Sequence, residues 1–419
     1  MSGLEVREAL VVGAGIVGLS AAWYLQEMGA AVTVLESGEV GQGSSWGNAG
    51  WLSPGLATPL PEPSVLRHGL SSLVNPRSPL YIPPRVDFGL WRFLLRFASY
   101  CTQRQWERAM GYYAPINALA LMAYDELTGA GVASPTHAQP ILAAYERPDE
   151  ARPLLHEVEM LAAAGQELRV REVPRSEVAV LQPVIGPRAG YVVAIEDQRY
   201  FDPGDFVRAL AASVRSRGAR LVTHSRVGAV TSRSDVVTVT TGDAEFSADV
   251  AVLATGAWLG ELGRSFGVRT EVRAGRGYSF SVPTDHPVST PVYLPAKRIA
   301  CTPYRGGLRI GGTMEFRPAR APINPVRVDN LIEASRPMLA GVRWDQMTEV
   351  WVGSRPVSTD GLPIIGATSA PNVFVSGGHG MWGITLGPIS GKLLAEYVVT
   401  GRRPAILDPF SPTRSARRC

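Results

Sequence analysis

Three glycines near the start of the chain have the spacing of a nucleotide-binding turn. Gly13, Gly15 and Gly18 lie between an apolar run that ends at Val12 and a run with helical period. The first glycine permits a tight turn, the second lets the backbone approach a pyrophosphate, and the third lets the helix pack closely on the strand. Because a helix N-terminus attracts phosphate, these residues predict a dinucleotide-binding strand–turn–helix unit.

A second apolar run, Ala31 to Leu35, ends at Glu36. A carboxylate at this place accepts hydrogen bonds from ribose hydroxyls and repels a 2′-phosphate, so an adenine dinucleotide other than NADP is predicted. Glycines alone are a weak signal, but here they occur together with both strands, the helix and the acid. The alternative is an ordinary glycine-rich turn of an α/β protein.

The loop from residue 41 to residue 52 is rich in glycine, serine and asparagine. It could bring backbone N–H groups onto a pyrophosphate, a ribityl chain or a ring edge. These residue types also favour turns, so the loop alone would indicate only a flexible turn. Its place directly after the dinucleotide unit favours a role in cofactor binding.

A second glycine-rich turn, residues 377 to 383, follows a strand-like segment and precedes a helix predicted from Pro388 to Thr400. Backbone donors and a positive helix end would meet an incoming group there. For a flavin this would be the N1–C2=O edge, whose stabilisation makes the ring a better hydride acceptor. His379, within the turn, could donate a hydrogen bond, attach a flavin covalently or be a polar loop residue. A structural or flavin-contact role is favoured over a general base.

Arg355 is the candidate for binding substrate. A guanidinium is a rigid fork that binds a carboxylate through two parallel hydrogen bonds. The alternative is an arginine that pairs with a nearby acid such as Asp360. The sequence shows no Ser/His/Asp triad and no cluster that would hold a metal, so no metal is expected.

The segments predicted to form the two domains alternate along the chain. Nucleotide-type strands are predicted near the start, in the middle and near the end, and a strand-rich stretch, Val272 to Gly312, predicts a second sheet. Asp202 is a candidate N-cap for a helix that begins at Pro203. We predict an α/β protein in which segments 1–60, 198–262 and 346–419 form a discontinuous nucleotide-binding domain. Segments 61–197, partly helical, and 263–345 form a substrate domain.

Composition narrows the class of protein. With 419 residues, the chain exceeds one typical core. Its 41 basic and 37 acidic residues are too balanced to indicate nucleic-acid binding. The distant Cys101, Cys301 and Cys419 suit a reducing compartment, and no run approaches the roughly 20 apolar residues of a membrane span. A cytoplasmic location is expected.

The aromatic-rich segment Phe88 to Cys101 carries Arg92 and Arg96 one helical turn apart. It could lie on a membrane surface, which leaves peripheral contact with the cytoplasmic membrane face open. A helix packed within the second domain is favoured, because apolar helix faces are usually buried.

Segments along essentially the whole chain are shared with a known group of enzymes. Besides the N-terminal glycine unit they are SSWGNAGWLSPG (44–55), RGYSF (276–280), LRIGGT (308–313), GSRPVSTDGLPIIG (353–366) and SGGHGMWGITLGP (376–388). The chain thereby resembles FAD-dependent oxidoreductases of the D-amino acid oxidase superfamily, particularly the bacterial D-amino acid dehydrogenase branch with its D-hydroxyproline dehydrogenases. The resemblance implies a Rossmann-like FAD domain of the glutathione-reductase type and a mixed-sheet α+β substrate domain over the flavin.

The resemblance also implies roles for single residues. Arg355 would bind the substrate carboxylate, with Tyr278, Tyr304 and His379 as further catalytic candidates and Tyr293 as another tyrosine for the pocket. Trp382 would narrow the pocket or lie along the ring. Noncovalently bound FAD would contact Gly13, Gly15, Ile16, Val17, Gly18, Glu36, Ser37, Gly43, Ser44, Ser45, Asn48, Ala49, Gly50, Val227, Thr255, Gly256, Trp258, Gly353, Gly380, Met381, Trp382, Gly383, Ile384 and Thr385.

The implied activity is oxidation of the Cα–N bond of a D-amino acid, or of a cyclic imino acid such as D-hydroxyproline, by hydride transfer to flavin N5. A quinone, an electron carrier or oxygen would then accept the electrons. The alternatives are a glycine- or sarcosine-type amine oxidase and a flavoprotein subunit without independent turnover. A flavin-dependent domain that modifies tRNA is disfavoured by the balanced charge.

Overall fold

The computed structural model describes residues 6–67, 74–242 and 244–414. The strands are β1 Glu8–Val12, β2 Ala31–Leu35, β3 Trp51–Leu52, β4 Leu80–Tyr81, β5 His137–Ala138, β6 Ile141–Tyr145, β7 Val170–Glu172, β8 Tyr191–Ile195, β9 Arg199–Tyr200, β10 Arg220–Val222, β11 Val227–Arg233, β12 Val236–Thr241, β13 Glu245–Ala248, β14 Val250–Leu253, β15 Val272–Pro283, β16 Val292–Leu294, β17 Ile299–Tyr304, β18 Gly307–Glu315, β19 Thr348–Ser358, β20 Ile364–Ala367 and β21 Val373–Gly377.

The α-helices are α1 Ile16–Glu27, α2 Pro63–Arg67, α3 Phe88–Tyr100, α4 Gln103–Ala118, α5 Ala120–Gly129, α6 Arg152–Ala163, α7 Arg175–Leu181, α8 Pro203–Ser216, α9 Leu259–Gly263, α10 Pro325–Ser335 and α11 Gly383–Thr400. Short 3₁₀ turns connect several of these elements, among them Gly256–Trp258.

A six-stranded sheet has the strand order β10-β2-β1-β14-β21-β20 and is parallel except for β20 at its edge. Helices α1 and α11 pack together beside it, while β11, β12 and β13 form a small sheet whose Val237 and Val239 join the core on the other side. Both faces are therefore covered, which explains why its strands are almost wholly apolar. As predicted, its strands come from separate stretches of the chain; the domain limits themselves stay a prediction.

A nine-stranded mixed sheet has the order β19-β15-β18-β17-β16-β6-β8-β7, with β4 added beside β18. Alternate residues along each strand point to opposite faces. One face packs on α10 through residues such as Phe280, Ile310 and Leu331. The other face joins, through Ala143 and Val193, the core that contains α1 and α11. The α/β fold class with a second, mixed sheet is thus confirmed.

The last long helix corrects a prediction. It begins at Gly383 and not at Pro388, so the proline lies inside α11. Proline has no N–H to donate to the carbonyl four residues earlier. The buried Tyr124 hydroxyl donates to that carbonyl, on Ile384, and so replaces the missing bond. A tyrosine 260 positions away cannot be inferred from the local sequence.

The predictions for two further helices are confirmed. The Asp202 carboxylate accepts hydrogen bonds from the N–H groups of Gly204 and Asp205 and caps α8. Helix α3 buries Phe93 and Phe97, as a packed helix should. Cys101 and Cys301 are free thiols, and Cys419 lies outside the described residues. Within the described ranges, the helices are all too short or too polar to cross a membrane.

Candidate active site

The turn between β1 and α1 needs its glycines. Gly13 has a φ of 111°, and a Cβ there would lie 2.5 Å from the Ala254 carbonyl oxygen. A Cβ on Gly18 would lie 1.9 Å from the carbonyl oxygen of Gly13. Helix α1 begins after Gly15 without a side-chain cap, and only Ile16 of its first turn donates to a side chain, Ser45 Oγ, at 3.1 Å. The turn therefore keeps free donors for a phosphate.

Glu36 lies at the mouth of this turn. Its carboxylate accepts hydrogen bonds from the N–H groups of Ala14 (2.8 Å) and Gly38 (3.0 Å) and from the Ser37 hydroxyl (3.0 Å). These bonds fix the carboxylate beside the turn, where a ribose would follow the pyrophosphate. Val227, which begins β11, packs with the cluster that also contains Leu35 from the strand before Glu36.

The loop after Glu36 joins the two sheets. The carbonyl oxygen of Gly47 accepts from Ser279 Oγ at 2.7 Å, and that of Ala49 accepts from Thr302 Oγ1 at 2.6 Å. Both hydroxyls belong to the nine-stranded sheet. The N–H groups of Gly43, Ser44, Ser45 and Ala49 have no partner in the part of the chain that the structure describes. Two carbonyl oxygens of the loop thus bind the nine-stranded sheet, whereas several of its N–H groups are available to a ligand.

The second glycine-rich turn is attached to the strand of the candidate substrate arginine. Gly380 N–H donates to the Pro356 carbonyl at 2.9 Å, and His379 forms a bridge with Val357. Trp382 is half-buried and anchored by its indole N–H, which donates to the Thr58 carbonyl at 2.7 Å. Helix α11 starts at the next residue without a side-chain cap, so the first-turn N–H groups of Gly383, Ile384 and Thr385 are available.

His379 is held as a neutral, buried ring. One ring nitrogen, Nε2, lies 2.9 Å from Ser390 Oγ, and Nδ1 has no hydrogen-bond partner in the described part of the chain. Burial lowers the pKa of His379 to about 4. A ring with so low a pKa is a weak base at neutral pH, which supports the favoured structural or cofactor-contact role.

Arg355 is a partly buried cation, and no acid among the described residues serves as its counter-ion. Its guanidinium lies over Gly277 of the neighbouring strand, where a Cβ would come within 2.2 Å of Cζ. Nη1 donates to the Thr313 carbonyl at 3.0 Å, and no described carboxylate pairs with the guanidinium. Burial lowers the pKa of Arg355 to about 10, so it stays charged at neutral pH. The predicted alternative partner, Asp360, pairs with Arg414 at 2.8 Å.

Sequence reasoning missed Thr313. This residue has a φ of 55°, which is rare for a β-branched side chain. It lies where the register between β15 and β18 shifts, at a bulge. Bulges re-aim groups beside functional sites, and here the bulge turns a carbonyl toward Arg355. No sequence signal marks this bulge.

The face of the sheet that carries Arg355 holds a row of small residues. Strand pairing places them beside it on the same face, namely Gly353, Gly277, Ser279, Gly311 and Ala300. The Trp351 indole, on the same face, packs over Gly353 and against Gly47 of the loop after Glu36, so the row is bordered by one large side chain. We call this row the small-residue floor.

The predicted tyrosines lie in different places. Tyr278 follows Gly277 and therefore points to the α10 side, away from Arg355; its hydroxyl donates to Glu315 at 2.6 Å. The structure thus does not bring Tyr278 to the cleft. Tyr304 is on the Arg355 face but stacks on Arg309, whose Cζ is 4.0 Å from the ring centroid. Tyr293 shares that face and meets Trp51 edge-on at 5.5 Å.

FAD fits the residues present. Two uncapped helix N-termini, those of α1 and α11, suit a pyrophosphate and an electron-rich ring edge. Thr255 Oγ1 and the Trp51 indole N–H are buried, and neither has a hydrogen-bond partner among the described residues. Gly256 and Trp258 form the 3₁₀ turn that adjoins β15 and β19. Met381 packs on the cluster around α3.

Comparisons with known proteins agree with this geometry. A family model described as FAD dependent oxidoreductase (DAO) matches residues 8–397. A D-amino acid dehydrogenase of Methylobacterium radiotolerans is 31% identical over 409 residues, 95% of this chain and 96% of its own. One from Rhizorhabdus wittichii is 28% identical over 407 residues, 95% and 97% of the two chains.

Solved structures show the same fold. Glycine oxidase from Geobacillus kaustophilus superposes with a TM-score of 0.73 at 23% identity and covers 98% of this chain and 100% of its own. Iminodiacetate oxidase from Chelativorans sp. BNC1 gives 0.69 at 20% identity, with 96% and 98% covered. Since the family model spans almost the whole chain, the protein belongs to the DAO family of FAD-dependent oxidoreductases.

Proposed function

We propose that the protein oxidises the Cα–N bond of a D-amino acid, or of a cyclic imino acid such as D-hydroxyproline. The observation that carries this proposal is Arg355, a desolvated guanidinium without a carboxylate partner in the described chain. Leaving a cation in this state is costly unless a ligand supplies the anion. The carboxylate of an amino acid matches its planar donors.

When bound, FAD supplies the hydride acceptor. The chain supplies orientation: Arg355 fixes the carboxylate over the small-residue floor, and the loops around Ser45 and Gly380 hold the cofactor beside it. Positioning of this kind can account for a large part of a rate enhancement. The amine must be neutral at transfer, and no described side chain near Arg355 is required as a dedicated base, because the cofactor performs the difficult step.

The relatives support this substrate class without defining its members. The matching curated relatives are D-amino acid dehydrogenases, whereas the similar folds include a glycine oxidase. A glycine- or sarcosine-type oxidase, or a subunit without independent turnover, would share the same Arg355. An anaerobic screen separates these candidate activities. It tests D- and L-amino acids, glycine, sarcosine and cyclic imino acids, and measures reduction of the flavin by the bleaching of its absorption band. Reduction by none of them would contradict the proposal.

FAD is expected to be noncovalent and to depend on Glu36. Acid precipitation should release the yellow colour from the protein. Replacing Glu36 by alanine removes a charged hydrogen-bond acceptor and should weaken FAD binding about ten- to a hundredfold, measured by titration of the apoprotein. Unchanged affinity would mean that Glu36 does not hold the ribose. Colour left on the precipitate would point to His379 as an attachment point.

We propose that the reduced protein meets its electron acceptor at a membrane surface. Helix α3 and the residue before its cap expose Val86 (87%), Phe88 (85%) and Leu95 (73%). Arg92 and Arg96 of the same helix are more than half exposed, although both also pair with the buried Glu271. Exposed apolar residues beside arginines suit an anionic lipid interface. Co-sedimentation with anionic vesicles should be lost in Leu95→Asp but kept in Val180→Asp, which changes an equally exposed residue elsewhere. Equal loss in both variants would contradict this surface.

A further inference from the structure

We propose that Trp351 of β19 forms one wall of the substrate site and limits the protein to amino and imino acids with compact side chains. The inference rests on the proposed function, because it concerns the atoms next to a carboxylate that Arg355 holds. Trp351 is half-buried and comes four residues before Arg355 on the same strand. The two side chains therefore lie on the same face of the sheet.

The Trp351 indole is held between two glycines. A Cβ on Gly353 would lie 2.0 Å from Cη2, at the outer edge of the six-membered ring. A Cβ on Gly47, in the loop after Glu36, would lie 2.2 Å from Cδ2, where the two rings join. Neither glycine therefore leaves room for a side chain beside the indole. An indole in contact with two stretches of backbone is a rigid wall.

This wall stands next to the Arg355 guanidinium. Gly353, under the outer edge of the indole, pairs with Gly277 of β15. The guanidinium lies over Gly277, where a Cβ would be 2.2 Å from Cζ. Because the Cα atoms of paired residues in antiparallel strands are about 4.5–5.5 Å apart, the indole edge and the guanidinium are about 5 Å apart.

Other groups border the guanidinium on two further sides. On the side of β18, the Thr313 carbonyl accepts from Nη1 at 3.0 Å. At Gly275, the preceding position of this face on β15, a Cβ would meet Val357 Cγ2 at 2.7 Å and Met314 Sδ at 2.9 Å, so these side chains cover that position. A carboxylate must therefore reach the remaining guanidinium donors from above the sheet or from the side of the indole.

A carboxylate bound there brings the rest of the substrate to the indole. With N–H···O distances of about 2.8 Å, the carboxylate carbon lies about 4 Å from Cζ of Arg355, and the adjoining Cα lies about 5–6 Å from it. This separation matches that between the guanidinium and the indole edge. Substituents on Cα that extend toward β19 therefore contact Trp351. A rigid wall so close to Cα accepts compact side chains, including the small ring of a cyclic imino acid, and excludes branched or aromatic ones.

The test compares alanine with leucine, in the hand that reduces the flavin, in the wild type and in Trp351→Phe. A phenylalanine ring can still pack against Gly47, but it does not extend as far over Gly353 as the indole does. We expect the wild type to prefer alanine by kcat/KM. Trp351→Phe should raise the leucine-to-alanine ratio about ten- to a hundredfold, the factor that one methylene group makes in an apolar pocket.

Two further variants make this test specific. Trp344→Phe is the matched control, because Trp344 is also half-buried but packs on the α10 side of the sheet. It should leave the leucine-to-alanine ratio unchanged. Trp351→Met keeps an apolar side chain against the cofactor loop but makes the wall flexible, so it should shift the ratio in the same direction as Trp351→Phe. The flavin absorbance of each variant reports whether FAD is retained.

Binding of unreactive carboxylates separates this inference from the proposed function. The probes are acetate and pivalate, which carries three methyl groups on the carbon next to its carboxylate, and their Kd values are read from the perturbed flavin spectrum. Trp351→Phe should lower the pivalate-to-acetate ratio of Kd about tenfold. This result supports the wall even if no amino acid is oxidised.

A wild type that prefers leucine, or either ratio unchanged in Trp351→Phe, overturns the inference, while oxidation of alanine leaves the proposed function intact. Acetate binding that is unaffected by Arg355→Ala would instead contradict the proposed carboxylate site, and the inference would fall with it.

Discussion

Two arginines of the nine-stranded sheet lie on its opposite faces and differ in whether a carboxylate pairs with them. Arg276 faces α10, is fully buried, and donates to Glu315 at 3.0 Å and to the carbonyls of Ala321 and Pro322. Glu315 also accepts from Tyr278. Arg355 faces the cleft, lies against Gly277 and donates to a single carbonyl. The Arg276 charge is paired with a carboxylate, although Arg276 Nε and Glu315 Oε2 find no hydrogen-bond partner among the described residues, whereas the Arg355 charge has no described carboxylate partner.

The difference separates structural charges from functional ones. A buried ion pair with satisfied hydrogen bonds is strongly destabilised when one partner is removed. A desolvated charge without a partner instead costs stability in the free protein, and binding of an ion of opposite sign recovers that cost. Arg355, on the other face of this sheet, and Glu157 of α6 both lack a described partner of opposite charge and so have this second character. Stability should therefore depend on the α10 face and catalysis on the cleft face.

The largest effect is expected at Arg355. Arg355→Ala should keep FAD and the fold but lower kcat/KM for the best amino acid about 10²- to 10⁴-fold, if the lost interaction is worth about 3–5 kcal/mol. Steady-state kinetics on the yellow variant measure this loss. Arg355→Lys should recover only part of the activity, because an ammonium cannot reproduce the planar fork.

Amino acid amides provide the control for this prediction. They lack the carboxylate, so they should be poor substrates for the wild type. Their kcat/KM should hardly change in Arg355→Ala. Near wild-type oxidation of the best amino acid by Arg355→Ala would place the carboxylate site elsewhere.

The corresponding test on the α10 face is Arg276→Ala, which should affect stability and not catalysis. It leaves the buried Glu315 without its main counter-charge and should lower the free energy of unfolding by about 3–5 kcal/mol. Denaturant unfolding of the FAD-bound protein measures this. Arg336→Ala, on an exposed residue after α10, is the control and should change stability little. A stable Arg276→Ala protein with lost activity would break the assignment of the two faces.

Glu157→Gln should stabilise the free protein. Folding raises the Glu157 pKa from 4.5 to about 7, so its contribution is fully present below pH 4.5 and is lost as the pH rises through 7. Glutamine carries no charge and avoids this loss. We expect the variant to be more stable by about 2 kcal/mol at about pH 8, with the gain vanishing near pH 4.

Urea unfolding of the wild type and Glu157→Gln at both pH values checks this expectation, with Glu159→Gln as the exposed control. Equal stabilities at the higher pH would show that Glu157 is already compensated in the free protein. Glu157 would then resemble the paired Arg276, and the contrast between paired and unpaired charges would no longer hold.

The cofactor half of the site could be predicted from the sequence because its chemistry is local. Gly13, Gly18 and Glu36 lie within one strand–helix–strand unit, and each acts through its own backbone conformation or its position at a strand end. Neighbouring positions in the sequence are neighbouring positions in space in such a unit. The pattern therefore carries both the residues and their geometry.

The substrate half could be predicted only in part. Arg355 was identified by its residue type and the family motif, but its isolation depends on distant residues: Asp360 is taken by Arg414, and the carbonyl comes from Thr313 at a bulge. Glu157 carries no sequence signal, because its raised pKa arises from burial and then from the like charge of Glu62, which lies far away in the chain. Register and packing of this kind involve residues far apart in the chain, and no short pattern encodes them.

The smallest expected effect, at Tyr278, tests the assignment of faces most directly. Sequence resemblance makes Tyr278 a catalytic candidate, and in the structure it adjoins Gly277, over which Arg355 lies. Alternation along β15 turns its side chain to the α10 side, where burial and Glu315 raise the pKa of its hydroxyl to about 12. Its hydroxyl also accepts from Asn324 N–H at 3.2 Å, so it tightens the structural network around Arg276.

Tyr278→Phe keeps the ring in the core and removes only these hydrogen bonds. Because Glu315 retains Arg276, the free energy of unfolding should fall by only about 1 kcal/mol. kcat/KM should stay within about threefold of the wild type, since no group that touches the substrate has changed. Tyr304→Phe, on the cleft face, is the comparison for activity. If Tyr278→Phe instead loses activity about a hundredfold with unchanged stability, the hydroxyl must reach the cleft, and the division of this sheet into a structural and a catalytic face is wrong.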